Sequence, residues 1–75
     1  MRPSPVDVKG WFDTEAVSDS QLASYLSLLN DDPNWRVTDM ASASVRTLRL
    51  LYFPDGIPFD IVLDRTAGGW RPRAP

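Results

Sequence analysis

Apolar and polar residues alternate over residues 45–70 in the pattern of a β-hairpin followed by a further strand. The turn is Pro54-Asp55-Gly56, in which the proline suits a type I turn and the glycine can adopt a positive φ. We therefore predict strands over 45–53 and 59–65. The predicted cross-strand pairs are Tyr52 with Phe59, Leu50 with Ile61 and Leu48 with Leu63.

The two faces of this hairpin differ in polarity, because successive side chains of a strand point to opposite faces. One face is apolar, whereas the other carries Thr47, Arg49, Asp60 and Asp64. Arg49 can reach either aspartate across the strands, in an ion pair worth roughly 0.2–1 kcal/mol. We interpret this charged face as open to solvent or to a partner, and its aspartates as solvating groups rather than an acid–base pair.

A helix is predicted over residues 19–30, before the hairpin. Ser18 and Gln21 have the spacing of a capping box, in which Ser18 is the N-cap. Apolar residues follow at helical spacing, and Asn30 and Pro33 end the pattern. The stripe that we expect to pack on the apolar face of the sheet consists of Leu22, Tyr25, Leu26 and Leu29.

The remaining segments predict shorter strands. Residues 35–39 and 70–72 have strand character, and Val6 and Val8 alternate with polar neighbours, which allows a short strand over 6–9. Residues 40–50 also fit a helical stripe, although the turn that follows them favours a strand. The predicted fold is α+β, with one helix on one face of an antiparallel meander of three to four strands.

Composition predicts a single small domain. The 75 residues, of which 43% are hydrophobic, predict one domain over 6–72 with tails at 1–5 and 73–75. The chain has no cysteine, which fits a reducing cytoplasm, and no apolar run long enough to span a membrane. Seven arginines against one lysine, and nine aspartates against one glutamate, indicate a GC-rich bacterial or phage genome.

The absence of histidine restricts the chemistry open to the chain. Histidine is the commonest general base and metal ligand, and without cysteine as well no Ser–His or Cys–His pair can form within the chain. We therefore predict that the protein is not an enzyme and has no cofactor, no metal site and no catalytic residues.

Acidic and aromatic residues instead favour an interaction protein. The formal net charge is −2, and tryptophan is a favoured anchor at interfaces. We predict a regulator or inhibitor of a larger protein, of the immunity protein, antitoxin or phage inhibitor type, that docks on a basic patch. A homodimer through a sheet edge is a further expectation. The predicted partner-binding residues are Trp11, Phe12, Asp13, Glu15, Asp31, Asp32, Trp35, Arg49, Asp60 and Asp64.

Nucleic-acid binding is the alternative hypothesis. Arg65, Trp70, Arg71 and Arg73 combine charge with an aromatic ring, as single-strand binders do. The acidic isoelectric point, about 4.7, disfavours that function.

Residues 48–63 also resemble the central hairpin of RelE/HigB-type toxins. The resemblance implies cleavage of mRNA on the ribosome, two helices before the sheet and a basic surface. The single predicted helix and the acidic balance depart from that pattern.

Overall fold

The computed structural model describes residues 3–13 and 16–73, which form two helices followed by a four-stranded antiparallel sheet. The α+β class and the antiparallel sheet are confirmed, but the prediction of a single helix is wrong. The strands are neighbours in chain order. The elements are α1 (Pro5–Phe12), α2 (Asp19–Asn30), β1 (Trp35–Ala41), β2 (Val45–Tyr52), β3 (Ile57–Thr66) and β4 (Gly69–Pro72).

Helix α1 occupies the segment for which a short strand over 6–9 was predicted. Ser4 and Asp7 form a capping box: the Ser4 hydroxyl accepts from the Asp7 amide at 3.3 Å, and the Asp7 carboxylate accepts from the Ser4 amide at 3.0 Å. Pro5 takes the first helical position, where its missing N–H costs nothing. Val8 and Phe12, four residues apart, are both buried. The helix and its cap overlap the predicted tail at 1–5.

Helix α2 has the bounds that its capping box predicts. The Ser18 hydroxyl accepts from the Gln21 amide at 3.1 Å, and the Gln21 side chain accepts from the Ser18 amide at 3.0 Å. Leu22 and Leu29 are fully buried, so each contributes on the order of 1.5–3 kcal/mol through burial. Leu28 lies off this stripe and is exposed.

The central hairpin has a register two residues away from the predicted one. Tyr52 pairs with Ile57 rather than Phe59, and Leu48 pairs with Ile61 rather than Leu63. The turn occupies residues 53–56, one residue earlier than the loop predicted between Phe53 and Pro58, and Gly56, at a φ of 69°, donates its amide to the Tyr52 carbonyl at 3.0 Å. A shift of two residues preserves the faces, so the predicted apolar face is the buried one.

Both helices cover the same face of the sheet. Residues of that face alternate with those of a second face, here called the open sheet face, which no described helix covers. Aromatic rings from three strands cluster on this face, since Trp35 lies 5.0 Å from Tyr52 and 6.1 Å from Phe59 between ring centroids. The core consists of Val8, Phe12, Val17, Leu22, Leu29, Trp35, Leu48, Leu50, Leu63 and Trp70.

The edges of the described sheet are protected unequally. Val17 and Trp70 exchange two backbone hydrogen bonds, of 2.7 and 2.8 Å, which close the outer edge of β4. The part of β3 beyond β4 carries Pro58, which has no amide to donate. In β1, the bonds from Phe53 to Asn34 and from Ser42 to Val45 fix the alternation, so that residues 37, 39 and 41 direct their backbone groups outward.

No helix in the described part of the chain is long and apolar enough to cross a membrane.

Candidate interaction surface

Helix α1 and the C-terminal end of α2, with the loop that follows it, leave a groove between them, here called the α1–α2 groove. The helices meet through Tyr25, whose ring stacks on Trp11 at 4.9 Å and contacts Phe12 edge-on at 5.5 Å. The groove has a volume of about 710 Å³. Its lining residues are Pro3, Val6, Asp7, Gly10, Trp11, Leu28, Asp31, Asp32 and Pro33.

Two large apolar side chains at this groove are exposed to solvent. Val6 is 79% exposed and Leu28 is 58% exposed, although both residue types are usually found in protein cores. The ring of Trp11 is half-buried between them and Tyr25. Exposed apolar side chains that converge in one groove are typical of a binding surface, whereas scattered ones are ordinary.

The charges that line this groove are acidic. Asp31 is the C-cap residue of α2 and is exposed, and Asp7 lies on the first turn of α1. Hydrogen bonds from the Ser4 amide and hydroxyl lower the pKa of Asp7, so this carboxylate keeps its charge at neutral pH. Asp32 is buried and accepts from the Asn34 amide at 2.9 Å. None of the described lining residues is basic.

The predicted aromatic anchors divide into one accessible ring and two buried ones. Trp11 lines the groove. Phe12 belongs to the core, as does Trp35, which is only 5% exposed. The Trp35 indole N–H donates to the Pro3 carbonyl at 3.1 Å and so ties the start of the described chain to the sheet. Phe12 and Trp35 therefore support the surface from behind and are not available as anchors.

The predicted acidic residues are also dispersed. Asp31 and Asp32 lie at the α1–α2 groove, whereas Asp13 lines a second groove, of about 750 Å³, on the other side of α1. That second groove carries charges of both signs, from Lys9, Asp13, Asp60 and Arg73. Glu15 lies outside the described residues.

The remaining predicted residues lie on the open sheet face. Arg49 is directly opposite Asp60 and donates two hydrogen bonds to it, at 3.0 and 3.1 Å. Asp64 is paired with Arg73 at 2.6 Å. Each arginine lowers the pKa of its aspartate through the hydrogen bond. Each pair thus neutralises one arginine and one aspartate of this face.

Sequence reasoning missed a cluster at the N-terminal end of α2, where charged groups surround Trp70. Asp19 accepts from Arg65 at 2.7 Å and from the Trp70 indole N–H at 2.8 Å. The guanidinium groups of Arg65 and Arg46 lie 5.1 and 5.7 Å from the centre of the Trp70 ring, and Arg46 is paired with Asp39. Every charge named here has a partner, so the cluster fastens α2 to β3 and β4.

Two further kinds of site are absent from the described residues. These residues contain no group of three histidines, cysteines or carboxylates placed to hold a metal. No buried polar side-chain atom among them lacks a hydrogen-bond partner, so none is left over to bind a buried ligand. The α1–α2 groove is consequently the feature of the described surface that requires an explanation.

No protein-family model, curated protein or solved structure matches this chain.

Proposed function

We propose that the protein is a non-enzymatic interaction module that binds a larger protein through the α1–α2 groove and thereby modulates or inhibits it. The observation that carries the proposal is the convergence of Val6, Trp11 and Leu28 with acidic side chains in one groove. Immunity proteins, antitoxins and phage-encoded inhibitors act in this way, and a chain without cysteine suits the reducing cytoplasm.

The energetics of interfaces support this proposal. Binding energy is concentrated in a few well-packed anchors, often tryptophan, within a rim of polar groups. Trp11 already rests on Tyr25, so little side-chain freedom is lost when a partner covers it. The acidic rim favours a partner surface rich in lysine or arginine.

Site-specific cross-linking in the native host tests the proposal. A photoreactive phenylalanine replaces Leu28 in the groove, Ile57 at the start of β3, or Met40 on the open sheet face; all three side chains are exposed. We expect one discrete protein adduct from position 28 and none from the other two. The captured protein, once purified, should bind the wild-type chain and bind Leu28→Ser at least about tenfold more weakly.

Two results would contradict the proposal. The first is a discrete adduct from position 40 without one from position 28, which would move the interface to the sheet. The second is full binding of the captured protein by the Leu28→Ser variant.

A second candidate function is binding of RNA through the open sheet face. The described residues of that face include Arg36, Arg49, Arg71 and Arg73 against Asp60 and Asp64, four positive and two negative charges, a net charge of +2. Two helices precede the sheet, which is the order that the resemblance to RelE/HigB-type toxins implies. Both observations favour RNA binding, whereas the acidic isoelectric point and the single predicted helix disfavoured it.

Retention of single-stranded RNA as a function of salt tests the second candidate. An RNA-binding face would retain RNA at low salt and release it steeply as the salt concentration rises, because its arginines displace counterions from the RNA phosphates. Arg36→Ser and Arg71→Ser should each reduce that retention. The interaction proposal predicts no retention at physiological salt and no effect of either substitution on binding of the protein partner.

A further inference from the structure

We propose that the α1–α2 groove accommodates a single amphipathic helix of the partner, with apolar side chains in the groove and lysines or arginines beside Asp7 and Asp31. This inference rests on the proposed function and specifies the partner of the same site. Three properties of the groove support it: its apolar walls, the sign of its charge and the absence of a strand edge among its described lining residues.

The apolar walls set the kind of side chain that the groove takes. Val6 lies on α1 and Leu28 on α2, and Trp11 and Pro33 add apolar surface between them. Covering such surface is worth about 25 cal/mol per Å². A leucine, isoleucine or phenylalanine of the partner gains this free energy, whereas a polar side chain does not.

The charge of the groove sets what flanks those apolar side chains. The described lining residues contribute carboxylates and no lysine or arginine. The second groove, beyond α1, has a similar volume but combines Lys9 and Arg73 with Asp13 and Asp60. Of the two grooves, only the α1–α2 groove carries charge of a single sign, and its negative charge selects a basic partner.

The walls of the groove favour a helix over an extended strand. One wall is helix α1, and the other is Leu28 together with the loop that follows α2. Neither wall is the edge of a sheet, so they offer an extended segment no ladder of donors and acceptors. An extended segment would therefore leave its own amides unpaired in an apolar groove, at a cost for each. A helix satisfies its backbone by itself and presents anchors at i, i+3 or i+4, and i+7.

Titration with synthetic peptides tests the inference. The probe is an amphipathic leucine–lysine peptide with leucines at helical spacing, and the matched peptides are a leucine–glutamate version and a leucine–lysine version in which alternation favours a strand. Trp35 and Trp70 are 5% and 6% exposed, so binding should change the fluorescence of Trp11. We expect saturable binding of the helical basic peptide, and binding at least about tenfold weaker for each matched peptide.

Paired variants of the protein locate the site. Leu28→Ser should weaken binding at least about tenfold, whereas Ile57→Ser, at a similarly exposed apolar position elsewhere, should not. Asp31 and Asp13 are both exposed C-cap residues, and Asp31→Lys should weaken binding while Asp13→Lys leaves it unchanged. A lysine at the C-terminal end of a helix is compatible with folding. Circular dichroism verifies that each variant is folded.

The results separate this inference from the proposed function. Binding that Leu28→Ser and Asp31→Lys do not weaken, or equal binding of the strand-forming peptide, overturns the helix inference. If position 28 still cross-links to a protein in the host, the proposed function survives such a result. Absence of that cross-link as well would overturn both.

Discussion

Gly69 is the residue at which the sheet and the segment before α2 approach most closely. Its φ is 126°, and a β-carbon built on it would overlap the backbone carbonyl of Val17. This approach allows Val17 and Trp70 to exchange their two hydrogen bonds. Only glycine fulfils both requirements, an unusual backbone conformation and the absence of a side chain.

Substitution of this glycine should be costly. We expect Gly69→Ala to lower the free energy of unfolding by about 2 kcal/mol or more, because strain and overlap with backbone both act. Gly10→Ala is the matched control: Gly10 lies within α1 with open space around it, so alanine should stabilise by roughly 0.5–1 kcal/mol. Urea unfolding measures both, and equal effects of the two substitutions would contradict the description of Gly69.

Asp19 makes the stability of the fold depend on acid pH. Hydrogen bonds from Arg65, followed by one from the Trp70 indole, lower its pKa in the folded state. Its contribution is therefore complete above the unfolded-state pKa, near 3.9, and is lost as the pH falls through the lower folded-state value. Asp19→Asn should be less stable than the wild type at pH 7, and the difference should shrink below about pH 4.

Urea unfolding at pH 7, 5 and 3 measures this dependence. Asp13→Asn is the control, because Asp13 is exposed and takes no part in the contacts that join α2 to β3 and β4. If the free energy of unfolding of Asp19→Asn differed from that of the wild type by a constant amount over the whole pH range, the charge of the carboxylate would not contribute to stability.

At the level of elements, α1 owes its position to its first turn. It has eight residues, too few to be stable alone, so its cap and its two buried side chains must hold it. Ser4→Ala removes the cap and should destabilise the protein by about 0.5–2 kcal/mol. Ser24→Ala, at an exposed position within α2, should have an effect near zero. Thermal unfolding distinguishes the two, and equal melting temperatures would contradict the importance of the cap.

The elements that the sequence predicts well are those with local signals. The capping box and the stripe of α2 lie within twelve residues, and the hairpin strands alternate around their own turn. Helix α1 was missed because Val6 and Val8 alternate like a strand, although Ser4, Pro5 and Asp7 carry a helix-start signal. The register was wrong because the position of the turn, and not the apolar pattern, separates two registers that share a face.

The candidate site was predictable only in part. Trp11 and Asp31 were selected for type and polarity, and both do lie at the groove. Phe12 and Trp35 have the same character in sequence, but the packing of α1 on the sheet buries them. The cluster around Trp70 depends on contacts 46 and 51 residues apart along the chain, which no local pattern reveals.

At the scale of the whole molecule, charge is distributed unevenly between the two layers. On the helical side, the described residues include six aspartates against Lys9, Arg46 and Arg65, a net charge of −3, whereas the open sheet face has a net charge of +2. A basic partner is therefore attracted towards the helices as it approaches. Electrostatic attraction of this kind acts mainly on the rate of association.

The two components of the groove should consequently affect different rate constants. For the basic leucine–lysine peptide, Asp31→Lys should reduce the association rate and its dependence on salt. Leu28→Ser should instead increase the dissociation rate, because it removes contacts made only after docking. Stopped-flow fluorescence of Trp11 at several salt concentrations measures both rates. An association rate independent of salt would contradict the role given to the acidic side chains.

The unequal protection of the sheet edges limits how copies of this chain can aggregate. Within the described sheet, Pro58 and the Val17 bridge leave β1 as the edge with a row of outward-facing backbone groups. A molecule with a single adhesive edge can join one neighbour and then has none left, so growth stops at two copies, whereas a filament needs two such edges in each unit. By allowing Val17 to lie against β4, Gly69 removes one of the two edges that a filament would need.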